Sequence, residues 1–564
     1  MSRYLPFRIA LVSTLVLNLA ASPTILSAQQ APEDVPTITI RTNTRLVIVD
    51  VVATDKKGQP VTGLKPEDFT LEENGKKQKI SVFEPPGIIN HAAAAPRSPG
   101  IFSNHPENVL PSGAPTVLIL DATNSSFSNQ AYARSQMLQY VVDQSHTGQS
   151  MAVVTLTDRL RVLQDFTSDP QVLLTAIKNF KPRAQPFEGT PPIVDITGMI
   201  FNFSNIQIGY NLEMRTLITL DAMRSLTRML GGLPGRKNVV WLTGSLPFDL
   251  IPQDRDVSEE ELAAELPGQG RQRPVGVNSA GNQAAEQREL HNQQIREAEA
   301  QLASAGIAIY PVDLNGLISG MENTADTRGS IHGAAWSSRA TARVSSGDHS
   351  HGTMEEVAAE TGGKAYFNEN EIRGGIALAL SDDKASYSIG YYPENKKWDG
   401  KLRNIKVKVA QGEAQLRYRK GYFAIEPGPV KDHNYEQDVV ATLAVGAPAT
   451  QISFKAQAKP TDPGKIRVVF LVDAHTLTAE DSGGSKKMNV SLYATIWGSS
   501  DKSLGAQSIR VDKSFDVATY QQILDHGMMV PIDLTIPAGG KELRLAVLDN
   551  KTGYIGTASG PLGQ

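Results

Sequence analysis

The chain has 564 residues, with 55 basic and 59 acidic side chains and no cysteine. At about 150 residues per domain it has room for three or four domains, and 40% hydrophobic with 20% charged residues describes an ordinary globular chain. A net charge of −4 argues against a general nucleic-acid binder, and the absence of cysteine excludes disulfides, thiolate metal sites, a cysteine nucleophile and cysteine-borne lipid.

Arg3 and Arg8, the apolar run from Ile9 to Ala21 and the small residues up to Ala28 have the three-part layout of a secretory signal peptide over 1–28. No later stretch reaches about 18 apolar residues, so no membrane span is expected in the mature chain. Export of a cysteine-free protein suits a periplasmic or extracellular location. Residues 37–84 read as a β-unit: Leu46 to Val52 is rich in β-branched residues, and Asp55-Lys56-Lys57-Gly58 and Glu73-Asn74-Gly75 are turn signals. Residues 85–114 are rich in Pro, Ala, Gly and Ser and read as a linker.

From residue 115 strands and helices alternate. Val117 to Leu120 is a continuous apolar run, as in a strand buried on both faces. Met137, Leu138, Val141 and Val142 keep helical spacing, and Met151 to Val154 is a strand. Asp169-Pro170 opens a helix, Leu217 to Leu230 is another, and Asn238 to Leu242 and Ile307 to Tyr310 are strands. Helices are expected from Met354 and near 371–380, and a strand over Tyr387 to Tyr392. This alternation predicts a mostly parallel sheet covered on both faces over 115–395. Two long segments, 246–290 and 315–352, follow strands and are expected on the face reached by Asp121. Residues 396–425 return to strand-like alternation and are expected to pair with 37–84. Residues 433–564 are β-rich and read as a C-terminal β-sandwich.

The first α/β strand runs into Asp121-Ala122-Thr123-Asn124-Ser125. An acid and two hydroxyls at alternate positions, at the carboxyl end of a buried strand, form an oxygen-lined pocket where open α/β sheets bind ligands. Such oxygens suit Mg²⁺; a polar turn capping the next helix is the equal alternative. Other motifs carry less. His349-Ser350-His351 lies in a Gly/Ser-rich stretch with no third ligand and reads as exposed loop. Leu233-Pro234-Gly235-Arg236-Lys237 reads as a structural turn rather than a phosphate loop. Lys396, Lys397, Lys401, Arg403, Lys406 and Lys408 read as a solvated sheet face. No nucleophile–base motif of a hydrolase is present, and the chain is not expected to be an enzyme.

Asp121-x-Thr123-x-Ser125 resembles the Asp-x-Ser-x-Ser metal-ion-dependent adhesion motif of von Willebrand factor type A domains. Val51 to Val61, Leu64 to Phe69, Leu233 to Trp241, Thr361-Gly362-Gly363-Lys364 and Tyr387 to Tyr391 resemble the related proteins of acidobacteria, over about residues 40–425. The resemblance implies a central von Willebrand factor A-like, Rossmann-type sheet, flanked here by β-sandwich-like domains. It implies metal ligands at Asp121, Thr123 and Ser125, a Thr from a second loop (Thr190, with Thr216 competing), and an Asp in a Thr-Asp-Gly turn. That last acid is missing: the chain reads Thr243-Gly244-Ser245, and Asp249 is five residues beyond Gly244. Loss of a carboxylate lowers affinity for a dication, so Mg²⁺ is expected to bind weakly or not at all. The expected function is non-enzymatic binding of a protein ligand at the cell envelope, in adhesion or assembly; the alternative is a structural envelope scaffold with a metal-free site.

Overall fold

The structure is a computed structural model that describes residues 46–86, 100–105, 115–143, 149–183, 199–248, 293–315, 351–367, 372–410, 414–424, 434–446, 448–499 and 502–562. The expected signal peptide, Thr190, Asp249, His349 and nearly all of the two long segments lie outside these residues.

Four strands come first: β1 (Val47–Thr54), β2 (Phe69–Glu73), β3 (Lys76–Gln78) and β4 (Ile80–Glu84). In β1, Val47, Val49 and Val51 turn inward while Ile48 is exposed, the period-2 pattern of a half-buried strand. Asn74 and Gly75, both with positive φ, make the tight turn between β2 and β3. The next strand, β5 (Ile101–Ser103), falls inside the stretch expected to be linker.

The α/β body follows. Its elements are β6 (Thr116–Asp121), α1 (Phe127–Asp143), β7 (Met151–Leu156), β8 (Leu160–Thr167), α2 (Pro170–Asn179), α3 (Met199–Leu230) and β9 (Lys237–Thr243). Then come α4 (residues 293–304), β10 (Ile307–Asp313), α5 (residues 351–361) and α6 (Ile372–Ser381). The strand order is β10-β9-β6-β7-β8, with β8 antiparallel and the rest parallel. All six residues of β6 are buried. Val117 and Ile119 feed one core with α3, α4 and α5; Leu118 and Leu120 feed the other with α1, α2 and α6. Because the chain leaves β6 toward β7 and returns on its other side at β9, β6 is where the winding direction switches. Its carboxyl end therefore opens a crevice between the flanking connections.

Beyond the body lie β11 (Ser386–Tyr391), β12 (Leu402–Val409), β13 (Gln415–Arg417) and β14 (Gly421–Phe423). They combine with the first strands in two antiparallel sheets, β13-β1-β11-β4 and β14-β12-β2-β3, around one core. Val51 faces Tyr387, Val52 faces Arg417, and Leu71 faces Val407 across the pairings. The chain thus leaves this β-unit, builds the α/β body and returns to the same unit. The strand at 386–391 belongs here and not to the sheet of Asp121, because Tyr387, Ile389 and Tyr391 bury their rings and branches in this core. Arg403, expected on a solvated face, is also buried: it reaches Glu73 and the carbonyls of Asn395 and Lys397, and stacks near Trp398. Lys406 and Lys408 do face solvent.

The C-terminal region opens with a helix, α7 (Tyr435–Val445), capped by the Asn434 side chain. It continues through β15 (Phe454–Pro460), β16 (Lys465–Val472), β17 (Glu480–Ser482), β18 (Ser485–Trp497), β19 (Ser503–Asp516), α8 (Val517–His526), β20 (Met528–Thr535), β21 (Glu542–Asp549) and β22 (Ile555–Pro561). Two antiparallel sheets, β20-β16-β15-β5 and one built on β17, β18, β19, β21 and β22, enclose a common apolar core. β5 is recruited because Phe102 is buried in that core, while the Asn104 carboxamide donates to the carbonyls of Ala449 and Ile452 and accepts from Phe454 N–H. Among the described residues no helix is long and apolar enough to cross a membrane.

Both β regions meet the α/β body away from the end of β6. The β-unit docks where β9 and β10 begin. Arg236 donates to the Tyr310 hydroxyl (3.0 Å) and the Gly362 carbonyl (2.7 Å), and lies 3.8 Å from the Asp50 carboxylate of β1. Tyr310 in turn donates to Asp382 (2.6 Å), which also holds Arg417 of β13. The turn before β9 is therefore a structural one, its arginine consumed by this buried network. The C-terminal region meets the end of α3: Thr450 donates to the Met229 carbonyl and accepts from Gly232 N–H. A Cβ at Gly232 would lie 1.6 Å from the Thr450 carbonyl oxygen, so only glycine permits this approach.

Candidate functional site

Asp121 ends β6 with 1% of its surface exposed. Its Oδ1 accepts from Thr123 N–H (3.0 Å) and Asn124 N–H (2.9 Å). Its Oδ2 accepts from the Asn124 carboxamide (2.9 Å), the Trp241 indole (3.0 Å) and the Thr243 hydroxyl (2.9 Å). Five donors therefore converge on one carboxylate. Burial raises its pKa, opposed by the hydrogen bonds from Trp241, Asn124 and Thr243.

The hydroxyls that alternate with Asp121 turn to other partners. Thr123 Oγ1 donates to the carbonyl of Thr157, and Ser125 Oγ accepts from Gly244 N–H (2.9 Å). Both residues are buried. Thr216 donates to the carbonyls of Leu212 (2.9 Å) and Pro247 (2.8 Å). Thr219, one turn on, is the threonine that reaches the cluster: it accepts from Asn124 Nδ2 at 3.0 Å. Asp121, Thr123 and Ser125 thus lie on one short segment at the end of β6 with their side chains turned to different partners; Thr216 does not join them, and Thr190 lies outside the described residues.

A cation already lies beside this cluster. Arg215 of α3 donates through Nε to Asn124 Oδ1 (2.9 Å) and through Nη2 to Ser245 Oγ (2.8 Å). Burial lowers its pKa and the Asp121 charge raises it. Asn124 therefore spans the acid and the base, donating to one and accepting from the other. The missing acid at 244 has a steric counterpart: a Cβ there would sit 3.0 Å from the Asn124 carbonyl oxygen and 3.4 Å from the Ser125 Cα. Glycine lets the 243–245 turn lie directly on the 124–125 backbone.

The network extends to the end of β10. Asn315 donates to the Gly244 carbonyl and to Asp313 Oδ1, and Asn129 Nδ2 donates to Asn315 Oδ1 (2.9 Å). Asp313 Oδ2 lies 3.0 Å from His351 Nε2, whose ring packs 4.2 Å from that of Phe367. His351, expected in exposed loop, is instead fixed at the start of α5. Phe127, the first residue of α1, is 55% exposed beside this end of the sheet.

The oxygens present do not fit a divalent ion. Mg²⁺ requires near-octahedral oxygen ligands with free lone pairs; here both Asp121 oxygens already accept from N–H and O–H donors, Ser125 Oγ accepts from Gly244 N–H, and a guanidinium lies on the flank. Among the described residues no three His, Asp or Glu side chains are grouped to hold a metal. Sequence reasoning missed Arg215, Thr219, Trp241, Thr243, Ser245, Asp313 and Asn315 as site residues. The available signal was the i, i+4 pair Arg215–Thr219 on a helix face that otherwise turns inward.

A second polar cluster lies between α4, α5 and β14. Glu299 is 3% exposed, with Oε1 buried and without a hydrogen-bond partner among the described residues. Burial, then the charges of Glu360 and Glu356, push its pKa well up. Glu360 is raised to about 7 by burial and by Glu356, with Arg419 opposing.

No family model matches the chain, and no curated protein matches it. Among solved structures it is similar to the conserved hypothetical protein BatB from Bacteroides thetaiotaomicron, at 13% identity over 48% of this chain and 98% of that one, with a TM-score of 0.22. It is similar to an aerotolerance-related membrane protein from Bacteroides fragilis, at 12% identity over 48% and 100% of the two chains, with a TM-score of 0.22. A von Willebrand factor type A structure from Catenulispora acidiphila matches at 9% identity over 90% of this chain and 73% of that one, with a TM-score of 0.19. Scores this low do not establish a shared fold.

Proposed function

We propose that the chain is an exported, non-enzymatic protein of von Willebrand factor A type that binds a protein partner at the cell envelope through the end of the sheet marked by Asp121. The observation that carries this reading is the placement of Phe127. An aromatic ring stands 55% exposed at the switch point of an open sheet, on the end that, among the described residues, neither β region covers. Aromatic side chains flanked by polar groups are the usual anchors of protein interfaces, and switch points are where such sheets meet ligands. The C-terminal region is read as a β-sandwich on the two sheets that share its core.

A second reading, an envelope scaffold whose Asp121 cluster only holds the sheet end together, is favoured by the internal saturation of that cluster. The two separate on a surface variant that leaves the cluster intact. Full-length protein and its Phe127→Ser variant are used as bait on the envelope fraction of the source, with and without chelator. The binding reading expects a species captured by the wild type, kept in chelator and lost from the variant. Identical capture by both baits would leave the scaffold reading.

A further inference from the structure

The metal that the motif implies and the residues that line the site disagree, and Arg215 is the reason. A dication in such a site has three tasks: to balance the aspartate, to fix the neighbouring hydroxyls, and to tie together loops from different strands. Each is already performed by protein groups. The charge of Asp121 is met by five donors and by the nearby guanidinium. Ser125 is fixed by Gly244 N–H and Ser245 by Arg215 Nη2. The loops at 121–125 and 243–245 and helix α3 are tied by one side chain, Arg215, whose two arms end on Asn124 and Ser245.

The carboxamide that Arg215 grips is itself held from the same helix. Thr219 donates to the Arg215 carbonyl at 2.8 Å and accepts from the same Asn124 carboxamide that bridges to Asp121. No carboxylate lies within ion-pair distance of Arg215 among the described residues, so its charge is balanced across Asn124 rather than by contact. An incoming dication would face that guanidinium as well as a carboxylate with no free lone pair.

We propose that Arg215 is the resident cation of this site, standing where a divalent ion would otherwise be required, so that the Asp121 end of the sheet is assembled without metal. The inference concerns assembly and holds whether or not the face binds a protein. The test uses full-length protein in two measurements. In Mn²⁺ titrations followed by electron paramagnetic resonance, the wild type is expected to leave the free-ion signal unchanged at millimolar metal, and chelator to leave the melting temperature unchanged. In thermal unfolding, Arg215→Met and Asp121→Asn are each expected to lower the melting temperature by about 3 °C, and the double variant by less than the sum, because the two act as one pair. Arg215→Lys, which keeps the charge but not the two-armed grip, covers the case in which the methionine variant does not fold; it is expected to retain part of the coupling with Asp121→Asn. Stoichiometric Mn²⁺ binding by the wild type that Asp121→Asn abolishes would overturn the proposal. So would strictly additive losses.

Discussion

The two ends of the central sheet bury charge in different ways. Near the start of β9 and β10 charged groups face one another without a neutral spacer: Arg417 on Asp382 and Arg236 3.8 Å from Asp50, with the Tyr310 hydroxyl linking Arg236 to Asp382. At the end of β6, Asp121 and Arg215 never touch, and the neutral Asn124 lies between them. The first arrangement joins the β-unit to the α/β body, since its members come from β1, the turn before β9, β10, the turn after α6 and β13. The second joins loops of one unit and leaves the end of the sheet free for exposed groups such as Phe127. Direct ion contacts couple elements that must not separate, because losing one partner strands a charge in a dry interior. A carboxamide relay spreads the same charges over neutral dipoles, at lower cost per broken bond.

Four measurements sharpen this contrast, beginning with the largest effect. Replacing Arg236 with Met removes the hub of the docking network, leaving the part-buried Asp50 without its guanidinium and the Gly362 carbonyl without its donor; the expected loss is about 3–5 kcal/mol, read from the denaturant midpoint. A loss below about 1 kcal/mol would mean that the β-unit is held by its apolar contacts alone. The acidic cluster behind that junction predicts a pH dependence. The folded-state pKa of Glu360, about 7, lies above its unfolded value, so its protonated form favours the folded state. That contribution is full below about pH 4.3 and is lost as pH climbs to about 7. Glu360→Gln, measured against wild type by urea unfolding, should differ little at pH 4.5 and should be the more stable by roughly 3–4 kcal/mol at pH 8; a difference independent of pH would place Glu360 in water. The smallest effect is expected at Gly244. Gly244→Ala brings a methyl within 3.0 Å of the Asn124 carbonyl oxygen and should cost about 1 kcal/mol. Gly244→Asp restores the missing acid of the motif, yet should not confer Mn²⁺ binding while Arg215 remains; a new binding isotherm would show that the absent carboxylate alone had silenced the site.

Much of the fold was legible. Val117 to Leu120 announces a strand buried on both faces because its unbroken apolar run serves the two cores that β6 does feed. Asn74-Gly75 marks a hairpin because few other pairs accept two positive φ values in succession. The three-residue strand β5 was not legible: a single buried Phe102 in a Pro/Ala/Gly-rich stretch carries no periodicity, and its pairing lies more than 350 residues away. The strand at 386–391 read correctly as a strand but was expected in the wrong sheet, since alternation states that a strand has an inner face and not which core it faces.

The candidate site divides along the same line. The short run Asp121 to Ser125 is local, and sequence by itself determined that an acid and two hydroxyls would stand together at the end of a buried strand. It also determined that position 244 has no carboxylate. What occupies the cation's place was decided only by tertiary structure. Arg215 is 91 residues from Asn124 along the chain, on a helix that carries other arginines. Its role follows from which face of α3 packs on β6 and β9, and that is set by the apolar contacts of Leu220, Met223 and Leu226 with the sheet. Chemistry held within a few residues is written in the sequence; charge balance across a packed interface depends on the packing.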